Sequence, residues 1–199
     1  MNKTRNVFFV LMACVVMLFA TACGDVAFKH GYVSGQTYYS DYFGFKITGG
    51  AGWQVAVDDG LARVNGLKDM SEGSIKSALD KGGIMEMKLA SGASSITVYV
   101  YDNEKNTSYR EYQYVDARIK SIEDEFGQFS TLNCDAKKST IDFMGVLTVC
   151  VETESSLRGL GTTYGYDIPV VNGKYTASLS LSAPSKSELD QLVTRFSAL

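Results

Sequence analysis

The chain has 199 residues, 45% of them hydrophobic and 21% charged, with 22 acidic against 19 basic side chains and a formal net charge of -3. That balance fits one ordinary globular domain, and its mild acidity excludes the clustered Lys and Arg of a nucleic-acid-binding face. A single histidine, His30, excludes by count the catalytic and metal arrangements built on several imidazoles.

Lys3 and Arg5 precede an uncharged apolar run from Val7 to Ala20, which ends in the small residues Thr21 and Ala22. This is the layout of a secretory leader, and the run is shorter than the roughly 20 apolar residues of a membrane-spanning helix. The tetrad Ala20-Thr21-Ala22-Cys23 resembles a bacterial lipobox, with Ala where the usual first residue is Leu. The resemblance implies diacylglycerol transfer to the Cys23 sulfur, cleavage that removes residues 1–22, and acylation of the new amino terminus. The alternative is a plain secretory leader with an incidental cysteine. Each buried methylene contributes about 0.8 kcal/mol, so two or three acyl chains anchor far better than one. The expected address is therefore the extracytoplasmic face of a cell membrane, with lipid at Cys23. Residues 23–37 carry glycines and no sustained periodicity, so they read as a tether in which His30 is solvated.

From Tyr38 to Ile47 the sequence is aromatic and largely alternating, and Gln54 to Val57 follows Gly49-Gly50. Two strands around a glycine turn are expected. Ile75, Ala78 and Leu79 lie at helical spacing between Ser71 and Lys81, and Gly82-Gly83 stops that short helix. Ile84 to Leu89 and Ser95 to Tyr101 read as a hairpin through Ser91-Gly92. Tyr112, Val115, Ile119, Ile122 and Phe126 form one apolar stripe of a longer helix. Gly127 is its expected left-handed C-cap, and Arg118, Lys120, Glu123 and Asp124 are its expected solvated face. Strand-like runs then cover 129–135, 137–141, 146–154 and 164–171. Asn172-Gly173 is a type I′ turn signal, with Lys174 to Leu181 completing the hairpin. Beyond Pro184, Ser185 and Glu188 make a capping box for a final helix carrying Leu189, Leu192, Val193, Phe196 and Leu199. The expected fold is α+β: an antiparallel sheet whose apolar face is covered by helices, in one domain over residues 38–199.

Cys134 and Cys150 remain in that domain. Outside the cytoplasm they either form a disulfide, contributing about 3 kcal/mol in the chain-entropy model, or stand as two separate buried thiols. A turn centred on Phe143 and Met144 sets Cys134 opposite Thr153, so a bridge needs a bulge or another register.

Phe43-Gly44-Phe45-Lys46-Ile47 leading to Gly52-Trp53, then a long middle helix, strands with an Asn-Gly hairpin and a closing helix, resembles PsbP-like domains. The chain also resembles a class of small bacterial lipoproteins of unknown function that share this layout. The resemblance spans most of residues 38–199 and implies a PsbP-like α/β sandwich with a noncatalytic accessory or binding role. Gly50-Ala51-Gly52 stands where the family often has a proline before Gly-Trp.

The chain holds no Gly-x-Ser-x-Gly, Ser-x-x-Lys or Cys-x-x-Cys and no zinc spacing, so no catalytic residue, metal or cofactor is expected. Asp102-Asn103-Glu104 and Asp58-Asp59 are oxygen-rich but lack the spacing of an EF-hand, and they read as solvated turns. In Gly159 to Tyr166, Tyr164 and Tyr166 are expected at a loop tip, where exposed rings can stack on a sugar or a partner. Tyr109 and Tyr114, near the start of the middle helix, have the same expected role, whereas Trp53 reads as core. The sequence thus points to a lipid-anchored binding or accessory protein whose partner is the membrane plus a protein or small-molecule ligand. A cell-envelope enzyme using a pair of carboxylates is the alternative, and a plain spacer is a third.

Overall fold

The computed structural model describes residues 28–56, 58–106, 110–128, 132–157 and 161–199. The leader, Cys23 and Tyr109 lie outside them. Alternation builds the centre. Ile96, Val98 and Val100 on one strand, and Ala177, Leu179 and Leu181 on its neighbour, are essentially sealed from solvent. Thr97, Tyr99, Ser178 and Ser180, between them in sequence, point to the opposite face of the sheet.

Eleven strands and five helices follow in chain order among the described residues: β1 Tyr32–Ser34, β2 Thr37–Ser40, β3 Phe45–Thr48, β4 Gln54–Val55, α1 Asp58–Val64, α2 Glu72–Leu79, β5 Gly83–Ser91, β6 Ser94–Asp102, α3 Asn103–Asn106, α4 Glu111–Phe126, β7 Leu132–Phe143, β8 Val146–Leu157, β9 Gly161–Asn172, β10 Tyr175–Ala183, α5 Lys186–Val193 and β11 Phe196–Ala198. Seven strands form one antiparallel sheet in the order β4-β5-β6-β10-β9-β8-β7, and β1-β2-β3-β11 form a second. The fold is α+β, as the sequence leads one to expect, with a second sheet beyond that expectation.

One core lies between the two sheets. Tyr38, Phe45, Ile47 and Phe196 from the small sheet pack with Leu189 and Leu192 of α5, Ile75 and Leu79 of α2, and the apolar side of the large sheet. On the other side α4 crosses β7, β8 and β9, and Tyr114, Val115 and Ile122 meet Val151 and Val149 in a smaller cluster.

Several elements differ from the sequence reading. The run from Tyr38 to Ile47 is two strands, because Asp41 to Gly44 turns the chain and sets Ser40 opposite Phe45. The Gly49–Gly52 turn carries the chain from one sheet to the other, with Gly50 and Gly52 at positive φ where a side chain would be strained. Gly127 has φ -60, so α4 ends without a left-handed cap. Asn172 is the last residue of β9, facing Tyr175, and the two-residue turn is Gly173-Lys174, with positive φ at Gly173. Asn172 instead ties the sheets together, its side-chain amide donating to the Tyr42 carbonyl at 2.5 Å. Ser185 does accept from the Glu188 amide, but the helix stops at Val193 and Phe196–Ala198 pairs with β3 as a strand.

The segment expected to be a tether is folded from Phe28 onward. Phe28 packs against Tyr42 and Tyr175 with ring centroids 5.3 and 5.1 Å apart, and β1 pairs with β2.

The β7–β8 turn is Met144-Gly145, so Cys134 faces Ser155 and Cys150 faces Ser139. An odd separation of five positions along the ladder puts the thiols on opposite faces of the sheet, Cys150 in the large core and Cys134 under α4. Both are free, Cys150 buried and Cys134 partly so. Burial and then Glu152 push the Cys150 thiol up to about 11, while the Cys134 thiol is raised less, chiefly by burial. At pH 8, iodoacetamide should label Cys134 slowly and spare Cys150 in the native protein, and urea without reductant should open both to labelling. A digest containing a Cys134–Cys150 linked peptide contradicts this.

Candidate functional site

In β5 the apolar residues are out of phase. Ile84, Met87 and Leu89 are all core residues, yet strict alternation places Ile84 on the face opposite to the other two. The strand resolves the conflict with one extra residue: Met85 pairs with Tyr99 and Met87 with Val98, leaving Glu86 in a β-bulge. The bulge turns Glu86 inward, and it is 1% exposed.

What surrounds that carboxyl group comes from the N-terminal segment. Glu86 Oε1 accepts from the Gly31 amide at 2.7 Å. His30 Nδ1 lies 3.2 Å from the same oxygen, an ion pair whenever the imidazole is protonated, though its alignment makes no hydrogen bond. Glu86 Oε2 and the Tyr38 hydroxyl are both sealed from solvent. Burial first, then the charge of Glu86 and a side-chain hydrogen bond to it, hold the Tyr38 phenol well above its usual pKa. A side chain at Gly31 would collide with that hydroxyl, so only glycine lets the chain pass this close.

These groups line a cavity of about 530 Å³. Val33, Val55, Leu61 and Met87 give it apolar walls, and Asp58 and Asp59, exposed at the start of α1, add two more carboxyl groups. His30 also lines a neighbouring cavity of about 540 Å³ with Phe28, Ile75 and Tyr175. His30 is thus half-buried between two cavities, where the sequence reading has it solvated.

The tyrosines expected at the surface are elsewhere. Tyr164 and Tyr166 lie in β9, away from any loop tip, with Tyr164 half-buried and Tyr166 buried. The Tyr166 hydroxyl donates to Asp190 at 3.1 Å and accepts from Lys186 at 2.5 Å, and Lys186 also binds Glu152 at 2.7 Å. That contact, chiefly the Lys186 hydrogen bond, holds the Glu152 carboxyl below its usual value.

Tyr114 is buried beneath α4. Its hydroxyl lies 2.9 Å from Asp167 Oδ1 and 2.6 Å from Ser178 Oγ, Ser178 donates to the same Oδ1 at 2.6 Å, and Arg118 Nε donates to Oδ2 at 2.9 Å. Arg118 therefore faces the sheet, where the sequence reading puts it on the solvated face. Cys134 and Cys150 sit on opposite sheet faces and form no shared site. Trp53 is half-buried against the core, with the Arg195 guanidinium 4.3 Å from its ring centre.

Asp102 and Asn103 are not solvated. Both are buried; Asp102 Oδ1 caps α3 by accepting from the Glu104 amide, and Asn103 Oδ1 accepts from Thr176. Among the described residues no three His, Cys, Asp or Glu side chains converge on a metal position, and no helix is long and apolar enough to cross a membrane.

No protein-family model matches the sequence, and no curated protein matches it. In three dimensions the chain is similar to the solution structure of cyanobacterial PsbP (CyanoP) from Synechocystis sp. PCC 6803, with a TM-score of 0.50 and 15% identity over 89% of this chain and 97% of that one. The domain has a PsbP-like fold. At that identity the likeness speaks for fold alone.

Asp167 is a buried carboxylate with both oxygens in use, so Asp167→Asn leaves Arg118 only the exposed Glu125, 4.0 Å away, as counter-charge and breaks the bolt between α4 and β9. The variant should lose about 3 kcal/mol of stability, read as a lower urea midpoint at unchanged slope. An unshifted midpoint contradicts this account of the α4 contact.

Proposed function

We propose that the protein is a lipid-anchored, extracytoplasmic binding or accessory protein that holds its ligand in the Glu86 cavity and does no covalent chemistry on it. The observation that carries the reading is a cavity of about 530 Å³ with apolar walls from Val33, Val55, Leu61 and Met87 and the exposed carboxyl groups of Asp58 and Asp59 beside them, within the usual size range of small-ligand sites, about 300–1,000 Å³.

The leader and the Ala-Thr-Ala-Cys tetrad support the address. Among the described residues Phe28 is the first packed into the domain, and the five peptide units from Cys23 reach at most roughly 18 Å. Lipid on Cys23 would therefore hold the cavity end of the domain close to the bilayer surface.

The carboxylate-pair enzyme remains the second reading, because the same cavity collects Asp58 and Asp59 with Glu86. Against it, Glu86 Oε1 is fixed by Gly31 and His30 rather than left free to exchange protons with a substrate.

Mass spectrometry of the natively produced protein should find an amino-terminal Cys23 carrying diacylglycerol, and Cys23→Ala should shift the protein from the detergent phase to the aqueous phase in Triton X-114 partitioning. An intact leader, or an unmodified Cys23 sulfur, sinks the anchored reading.

A further inference from the structure

We infer that the second cavity beside His30, between α2 and the start of β10, takes an amphiphilic anion: an oxyanion head among Lys29, Lys76 and Lys174, with its alkyl chain along Phe28, Ile75 and Tyr175. The inference goes beyond the reading above, which concerns the Glu86 cavity, and stands or falls without it. Three features set the ligand class.

The first is the wall. Phe28 and Met70 are half-buried, Ile75, Leu79 and Tyr175 are buried, and together they line a cavity of about 540 Å³. That volume is within the usual range of small-ligand sites, about 300–1,000 Å³. Methylene groups placed there exchange water for apolar surface, a gain that an inorganic ion cannot make.

The second is the charge. The ammonium groups of Lys29, Lys76 and Lys174 line the same cavity against the single carboxyl group of Glu72. This is a local excess of positive charge in a chain whose formal net charge is -3. The Glu86 cavity, on the other side of His30, has the reverse balance, with Glu86, Asp58 and Asp59 among its lining residues. A cationic head is repelled by the lysines, and a neutral one gains nothing from their charge.

The third is the supply of donors. Lys29 lies 3.5 Å from Asp41 and Lys76 2.9 Å from Asp80, both pairs between exposed side chains, where water screens the attraction and pairing is worth little. Lys174 lies 3.7 Å from Asp102 Oδ2, with its nitrogen 5.0 Å from the centre of the Tyr175 ring. An ammonium carries three N–H donors, so each lysine keeps at least one for an oxyanion.

The head can belong to a free fatty acid or to a membrane phospholipid. Lys29 follows Cys23 by six positions, so lipid on Cys23 would bring the second source within reach. Isothermal titration on the full chain in phosphatidylcholine nanodiscs, with empty discs as the blank, separates the two with n-hexanoate and n-hexyl phosphate as probes. Hexan-1-ol and n-hexylammonium serve as neutral and cationic isosteres, and inorganic phosphate as a head without a chain. At least one alkyl anion should bind saturably, roughly ten-fold or more tighter than the alcohol, the ammonium and inorganic phosphate. The tighter anion identifies the source.

Lys29→Gln combined with Lys76→Gln, at two exposed positions, should weaken that anion roughly ten-fold or more, whereas Glu72→Gln should tighten it. Met70→Trp should abolish binding by filling the cavity from the loop before α2. None of these residues lines the Glu86 cavity, so that site is left as it is. Anion binding that survives both the lysine pair and Met70→Trp overturns the proposal, as does a preference for the alcohol or the ammonium. Inorganic phosphate binding as tightly as hexyl phosphate overturns the alkyl part of the ligand class. If neither alkyl anion binds, the assignment of this cavity falls, while the Glu86 cavity and the Cys23 anchor are judged by their own tests.

Discussion

A carboxyl group turned into the core by one extra residue is the constraint around which the amino-terminal end of this domain is organised. Burying Glu86 costs several kcal/mol unless its oxygens find donors, and the donor it finds in the fold is the Gly31 amide, with His30 beside it. That requirement draws residues 28–31 onto the domain and seats Phe28 among Tyr42, Phe43 and Tyr175. It also lets β1 add to the edge of the small sheet.

Two buried carboxyl groups in one small domain invite comparison, and their surroundings differ. Asp167 is met by Arg118, Tyr114 and Ser178, which together use both of its oxygens. It fastens a helix to a sheet and faces no unmet demand. Glu86 is met instead by the Gly31 amide, with His30 and the Tyr38 phenol beside it. Its contacts tie the amino-terminal segment to β5 as those of Asp167 tie α4 to β9.

Much of the architecture was legible because long periodic segments depend little on distant contacts. Ile96 to Val100 and Ala177 to Leu181 alternate cleanly, Ser185 with Glu188 marks a helix start, and the stripe from Val115 to Phe126 marks another helix. What escaped was set by tertiary context. Asn172 looks like a turn residue, but its side chain is claimed by Tyr42, which shifts the β9–β10 turn by one position. Phe196 continues a helical stripe in sequence, yet the open edge of β3 takes it as a strand. Tyr114, Tyr164 and Tyr166 look like surface rings because a tyrosine's burial is decided by the partner of its hydroxyl, here Asp167 for Tyr114 and Lys186 with Asp190 for Tyr166. The site left one trace: the apolar phase slips by one residue around Glu86, the mark of a bulge. That Gly31 and His30, 55 and 56 positions away, would meet it there had no local sign.

The most direct measurement is a crystal structure of the protein. The account predicts Glu86 turned into the core by the β5 bulge, with Oε1 accepting from the Gly31 amide and Phe28 seated against Tyr42 and Tyr175. A Glu86 side chain turned to solvent, or residues 28–31 lifted off the domain, would contradict it.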